Sequence, residues 1–275
     1  MKRRSWSFAV HAVLITYVVI AVLPILLVVM NALKSRRAIF ADPLSLPTAE
    51  TLSLKGFSRV FAVSDFELYF VNSLTVTVVT LVAVLLFAAM AAWALSEYGF
   101  RGRVLLGLFF AIGIMVPIRL GTVSILELMV TLDLTNTLTA LILVYTAQGL
   151  PLAIFILSEF IAQIPRDLKE AARCDGVGEI QIFFSIIVPL IRPAIATVAI
   201  FVMVPIWNDL WFPLILSPGA GKQTITLGVQ QFVGQYVTDW NAVLAALTLA
   251  ILPILALYLV LSRQLVRGLT AGAVK

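Results

Sequence analysis

Charged residues are scarce in this chain, so their clustering is the first place to look for chemistry. The stretch Lys169–Ile180 (KEAARCDGVGEI) carries five charges and two glycines in twelve residues. It holds no zinc motif, nucleophile elbow or other catalytic constellation. Two short stretches suggest phosphate chemistry and fail on spacing. SPGAGKQT (Ser217–Thr224) puts Leu216 where a phosphate-binding loop needs its first glycine, and Gln223 where it needs Ser or Thr. GVGEIQ (Gly176–Gln181) ends in Gln181 where a dinucleotide fingerprint ends in glycine, and no strand precedes it. The chain therefore shows no nucleotide site of its own. Cys174 and His11 are the single cysteine and histidine, which excludes an internal disulfide and a Cys/His metal cluster.

The elements that hold these residues follow from composition. Of 275 residues, 61% are hydrophobic and only 12% charged, where a soluble domain has roughly 25% charged. A helix needs about 20 apolar residues to cross ~30 Å of hydrocarbon. Long apolar runs are not the alternating strands of a barrel. The expected fold is an all-α integral membrane protein with six transmembrane helices. They fall near Phe8–Leu33, Leu68–Leu95, Val104–Val130, Leu138–Phe160, Ile186–Leu216 and Ala242–Leu261. The first run is 26 residues long, longer than the ~7–15 apolar residues of a signal peptide. It reads as a retained span.

Basic residues favour the cytoplasmic side of a membrane. With the N-terminus inside, only Lys34, Arg36, Arg37, Lys55, Arg59, Arg119 and Lys222 of the nineteen Lys and Arg fall outside. Both termini are then cytoplasmic, and Lys169–Ile180 faces the cytoplasm. Pro165 suits a first helical turn and Gly176 a left-handed stop. Ile161, Ile164, Leu168, Ala171 and Ala172 share one face, with Arg166, Asp167, Lys169, Glu170 and Arg173 on the rest. About ten residues give ~15 Å of helix, too short to span a bilayer. The spacing leaves two readings, a surface helix that joins two spans and a docking element for a soluble partner.

Polar residues inside the spans are fewer. Asn208 and Asp209 lie in the fifth run, Asp209 about 22 Å along a helix counted from Ala194. They read either as translocation-pathway or gate residues, or as packing groups beside Trp207 and Trp211. Asn72, Thr75 and Thr80 either line a path or bond between helices. Arg119 and Glu127 interrupt the third run and read as solvated, structural groups.

The stretch EAARCDGVGEIQIFFSIIVPLIRPA (Glu170–Ala194) resembles the cytoplasmic signature of permease subunits of bacterial ABC importers. Glu170, Ala171, Ala172, Gly176, Ile186 and Pro189 match it, and Val188 stands where leucine is usual. WNDLWFPLI (Trp207–Ile215), the tail VRGLTAGAVK (Val266–Lys275) and YFVNSLTVT (Tyr69–Thr77) resemble the carbohydrate branch, maltose-permease G-type. The resemblance implies a type I importer permease fold in a bacterial cytoplasmic (inner) membrane. Residues 1–33 would be the N-terminus and first helix, 34–67 an extracytoplasmic loop, 68–262 the transmembrane domain and 263–275 a cytoplasmic tail. A coupling helix at about 165–176 would seat Glu170, Ala171, Ala172, Asp175 and Gly176 against an ATPase, Glu170 and Asp175 by polar contacts. Gly268, Thr270, Gly272 and Lys275 would touch the ATPase dimer. Gln223, Gln230 and Gln231, in the outer loop with Gln235, would face a sugar-binding protein. The implied partners are a distinct F-type second permease, two ATP-binding subunits and an extracytoplasmic sugar-binding protein, in contact with membrane lipid and no nucleic acid. ATP and Mg would belong to the ATPase subunits, and this chain would bind no cofactor or metal and be no enzyme. The rival readings are an importer permease for a non-sugar solute, an ion-coupled secondary transporter and a membrane-embedded enzyme. The secondary transporter lacks an inverted repeat with paired broken helices; the enzyme lacks a catalytic cluster.

Overall fold

The computed structural model describes residues 2–63, 65–233 and 238–271. Among these residues the only extended pairings are two isolated bridges, Lys34 with Leu52 and Val233 with Thr238. In chain order the helices are α1 (Lys2–Ala32), α2 (Arg36–Ala41), α3 (Lys55–Val63), α4 (Phe66–Glu97) and α5 (Arg103–Met115). They continue with α6 (Thr122–Thr131), α7 (Leu138–Ala162), α8 (Arg166–Cys174), α9 (Glu179–Ile182) and α10 (Val188–Leu190). The last are α11 (Arg192–Asn208), α12 (Trp211–Leu216), α13 (Ile225–Val229) and α14 (Trp240–Ala271).

Among the described residues, three helices are each long and apolar enough to cross a membrane: Val10–Ala32 of α1, α4 and α7. Two bent pairs raise the number to five if each pair crosses as one. A further apolar stretch, Trp240–Ala256, lies in α14. Along α1, side chains such as Val13, Ile15, Ile20 and Leu26 are exposed. In hydrocarbon such a surface is in its own solvent, because the backbone is satisfied within the helix.

Two of the expected straight spans are broken. The run Val104–Val130 divides into α5 and a second arm, Ile118–Thr131, bent by 87°. Val116 is extended, as a residue before proline prefers, and Pro117 has no N–H to continue the ladder. At 13 residues α5 is roughly 20 Å long, short of a full crossing. The run Ile186–Leu216 is also divided. A π-helical turn, Phe183–Ile187, precedes α10; the chain then bends by 77° into α11 and breaks again before α12. Pro189 and Pro193 flank the bend at Ile191, each missing a backbone donor.

The chain divides into two compact units, Met1–Glu67 with Gly228–Pro253, and Leu68–Leu227 with Ile254–Lys275. In the first, Asn241 Nδ2 donates to Lys34 O at 2.8 Å and Arg59 pairs with Asp239 at 2.9 Å. Lys34, expected in an outer loop, is fully buried there, its ammonium donating to Asp42 O and Ser45 Oγ. In the second unit α4, α7 and α11 enclose the core, with Val84, Trp93, Leu141, Leu157 and Val202 buried. Gly149 makes their approach possible, since a Cβ there would meet Val84 Cγ2 at 3.0 Å and Val202 Cγ1 at 3.5 Å.

Candidate functional site

The short helix expected near residues 165–176 is α8. Pro165 stands just before it as the extended N-cap residue, not inside its first turn. Gly176 adopts φ +78°. Its N–H donates to Arg173 O and that of Val177 to Ala172 O, both at 3.0 Å. This is a Schellman stop, which glycine makes at no Cβ cost.

The faces of α8 differ from the expected ones. Ala172 and Lys169 are the buried pair, at 7% and 5% exposure, while Leu168 is 43% exposed and Ala171 is also outward. Ala172 therefore packs on the chain's own core. The outward surface consists of Arg166, Asp167, Leu168, Glu170, Ala171, Cys174 and Asp175, with Gly176 following.

Beneath α8 lies a closed set of charges. Lys169 pairs with Glu97 Oε2 and its Nζ sits 5.5 Å from the Trp93 ring centre. Arg173 donates to Glu97 Oε1 at 2.7 Å, and its Nε to Glu179 Oε1 at 2.7 Å. Tyr98 donates to Glu179 Oε2 at 2.7 Å. The hydrogen bonds to Glu179 and then Glu97 raise the Arg173 guanidinium above its already high range. Burial, and after it the Glu179 carboxylate, push the Tyr98 hydroxyl up.

Asp209 organises a second polar group. It ends α11 and caps the start of α12, accepting from Phe212 N at 3.1 Å and more weakly from Trp211 N at 3.4 Å. Tyr145 donates to Oδ2 at 2.8 Å and Arg119 to Oδ1 at 3.1 Å. Trp211 Nε1 donates to Thr122 Oγ1 at 3.0 Å. The Asp209 carboxylate thus joins the bend of the third run, α7 and the break in the fifth run. Arg119, though 66% exposed, is paired and not only solvated. Asn208 is exposed and returns its amide to Val204 O at 2.8 Å.

Asn72 is buried, and its amide donates to Gly221 O and Gln223 O, each at 3.0 Å. Ser73 Oγ accepts from Ile225 N at 2.8 Å. These bonds tie α4 to the segment after α12. Thr75 is exposed on the same helix, and Thr80 is fully buried. Gln223 donates its own amide to Pro218 O at 3.0 Å. Gln230 and Gln231 are exposed in a 3-10 turn after α13. Gly268 and Thr270 fall within the bounds of α14, whereas Gly272, Lys275 and Gln235 lie outside the described residues.

Two residues carry no motif signal in the sequence. Glu97, the last residue of α4, is the carboxylate under α8. Gln148, exposed near the middle of α7, lines a cleft of about 770 Å³ with Phe109, Phe110 and Pro117, and a smaller one with Phe201 and Pro205. A polar side chain exposed among apolar ones at the centre of a long apolar helix would have been the signal for Gln148.

The broken spans, the short capped helix and the apolar outer surface define a helical membrane protein with several crossings. The chain belongs to the family of binding-protein-dependent transport system inner membrane components, whose model matches residues 84–271. It is 32% identical over 271 residues to the diacetylchitobiose uptake system permease protein NgcG of Streptomyces coelicolor, covering 98% of this chain and 89% of that relative. It is 31% identical to the arabinooligosaccharides transport system permease protein AraQ of Halalkalibacterium halodurans, covering 100% of both. Its fold is similar to a chain in the crystal structure of a bacterial ABC transporter involved in import of the acidic polysaccharide alginate. That match has a TM-score of 0.82 and 22% identity, over 96% of this chain and 97% of the other.

Proposed function

We infer that the chain is one permease subunit of an ATP-driven oligosaccharide importer, docking on an ATPase through α8. The observation that carries the docking assignment is α8 itself. It is a short, capped helix whose outward face offers Glu170, Ala171 and Asp175 beside exposed Leu168. Small residues allow close approach and flanking carboxylates set register in a groove. The substrate class is supported by relatives named for uptake of diacetylchitobiose and arabinooligosaccharides.

A second permease completes the pathway, and two ATP-hydrolysing subunits supply energy with their own ATP and Mg. A sugar-loaded binding protein meets the outer loop, where Gln223, Gln230 and Gln231 lie. Closure of the ATPase subunits moves α8 and, through it, the spans. Gly268, Thr270, Gly272 and Lys275 supplement that contact. Asn72, Thr75, Asn208 and Asp209 border the outer part of the pathway.

Purification in mild detergent tests this reading. An ATPase and a second permease should copurify with the wild-type chain. Glu170→Lys should lose or uncouple the ATPase while leaving the membrane chain folded. Survival of both assembly and coupling in that variant would remove α8 as the docking site. In liposomes, a binding protein loaded with oligosaccharide should stimulate hydrolysis more than one loaded with an amino acid.

A further inference from the structure

We propose that Glu97 is a positioning residue for α8: it fixes the roll of that helix and fastens it to the end of α4. The inference rests on α8 being the docking element. It adds how a push on α8 reaches a membrane-spanning helix that is remote from it in sequence.

The geometry is specific. Both oxygens of Glu97 are used, Oε2 by Lys169 and Oε1 by Arg173. Lys169 and Arg173 are four residues apart, so the two pins lie about one turn apart on one face of α8. A pin on one face opposes rolling, and a second pin one turn along opposes swivelling about the first. Ala172, the buried apolar residue between them, offers a single methyl group as alternative grip. Lys169 is held from its other side by Trp93, also on α4. Arg173 continues to Glu179 at the start of α9, and Tyr98, next after α4, closes the ring on Glu179. The chain itself connects α8 only to α7 and α9. Glu97, with Trp93 beside it, supplies the third attachment, to α4.

A buried ion pair is weak evidence of net stability, because desolvation offsets much of the attraction. Its distinct effect is to favour one arrangement over others that apolar packing would tolerate. A lever that rolls on its mount transmits little.

Cys174 provides the probe. It is the only cysteine and is exposed at the end of α8. A nitroxide attached there, on the full-length chain in lipid nanodiscs, reports helix motion by electron paramagnetic resonance. In the wild type the label should be restrained. Glu97→Gln should raise the mobile fraction at least twofold, and Glu97→Asp should restore much of the restraint. The double variant E97Q/K169M leaves no uncompensated buried lysine and guards against misfolding; its label should also be mobile. An equally restrained label in that folded double variant overturns the proposal.

A second arm uses the assembled complex. Hydrolysis stimulated by a diacetylchitobiose-loaded binding protein should fall at least fivefold in E97Q with the ATPase subunits still attached. Mobile labels with undiminished stimulation would reduce Glu97 to a structural contact and overturn the proposal. If no ATPase copurifies even with the wild type, the docking reading fails, and the label result separately reports on the mount.

Discussion

Tyr145 and Asp209, 64 residues apart in the chain, meet through a 2.8 Å hydrogen bond from the phenol to Oδ2. The bond ties the middle of α7 to the break between α11 and α12. Because Tyr145 is buried, removing its acceptor leaves a buried hydroxyl without that partner. Asp209→Ala should cost about 1–3 kcal/mol, since it also releases the cap on Trp211 and Phe212. Tyr145→Phe removes one donor of several and should cost about 1 kcal/mol. Steric-trap unfolding in lipid micelles would rank the two variants; the reverse order would contradict the role of Asp209 as the hub.

Gly176 and Gly178 flank Val177 and should respond oppositely to alanine. At both, a Cβ meets nothing within 4 Å, so only the backbone decides. Gly176 has φ +78°, where alanine costs roughly 1–2 kcal/mol. Gly178 is extended, with φ −71°, where alanine restricts the unfolded chain and is neutral or stabilising by about 0.4–1 kcal/mol. Hydrogen exchange of the amides in residues 169–177 would show faster exchange in Gly176→Ala and none of it in Gly178→Ala.

Asn72→Ala should loosen the segment after α12 without disturbing α4. The change removes two hydrogen bonds and leaves the carbonyls of Gly221 and Gln223 without that donor. A cost of about 1–3 kcal/mol is expected for such buried polar losses. Limited proteolysis between residues 218 and 224 should accelerate, while cleavage elsewhere stays at the wild-type rate. Unchanged proteolysis would mean that the Ser73–Ile225 bond holds the segment by itself.

Local chemistry made α8 legible in the sequence. The proline before it, the charges along it and the glycine after it act within about ten residues of chain. Its faces were not legible, and the reason is geometrical. Placing Ile161, Ile164, Leu168 and Ala171 on one face assumes a single helical phase. The chain leaves α7 at Ala162 and re-enters helix at Arg166, which resets the phase and turns Leu168 and Ala171 outward. Lys169 then faces a carboxylate 72 residues away, a pairing that no local pattern encodes. Asp209 shows the same limit. Its acidity inside an apolar run was plain, but Pro205 and Pro213 indicate a weak helix without saying which residue will cap the break. In the third run the sequence drew attention to Arg119 and Glu127, whereas the break falls at Val116 and Pro117 and its 87° angle is a product of packing.

The π-helical turn at Phe183–Ile187 has a consequence for insertions and deletions. Such a turn is an α-helix that has absorbed one additional residue, with bonds reaching five positions back. Each residue turns an α-helix by about 100°. Deleting one residue between 183 and 187 would therefore return the turn to ordinary α geometry and leave the register of its flanks largely as it is. Adding one more residue to a turn that has already absorbed one would instead rotate α9, with α8 before it, by about 100° relative to the residues that follow. The segment is thus asymmetric in its tolerance: a lengthened chain could keep every side chain of α8 and still aim them in the wrong direction, whereas a chain shortened by one residue would not.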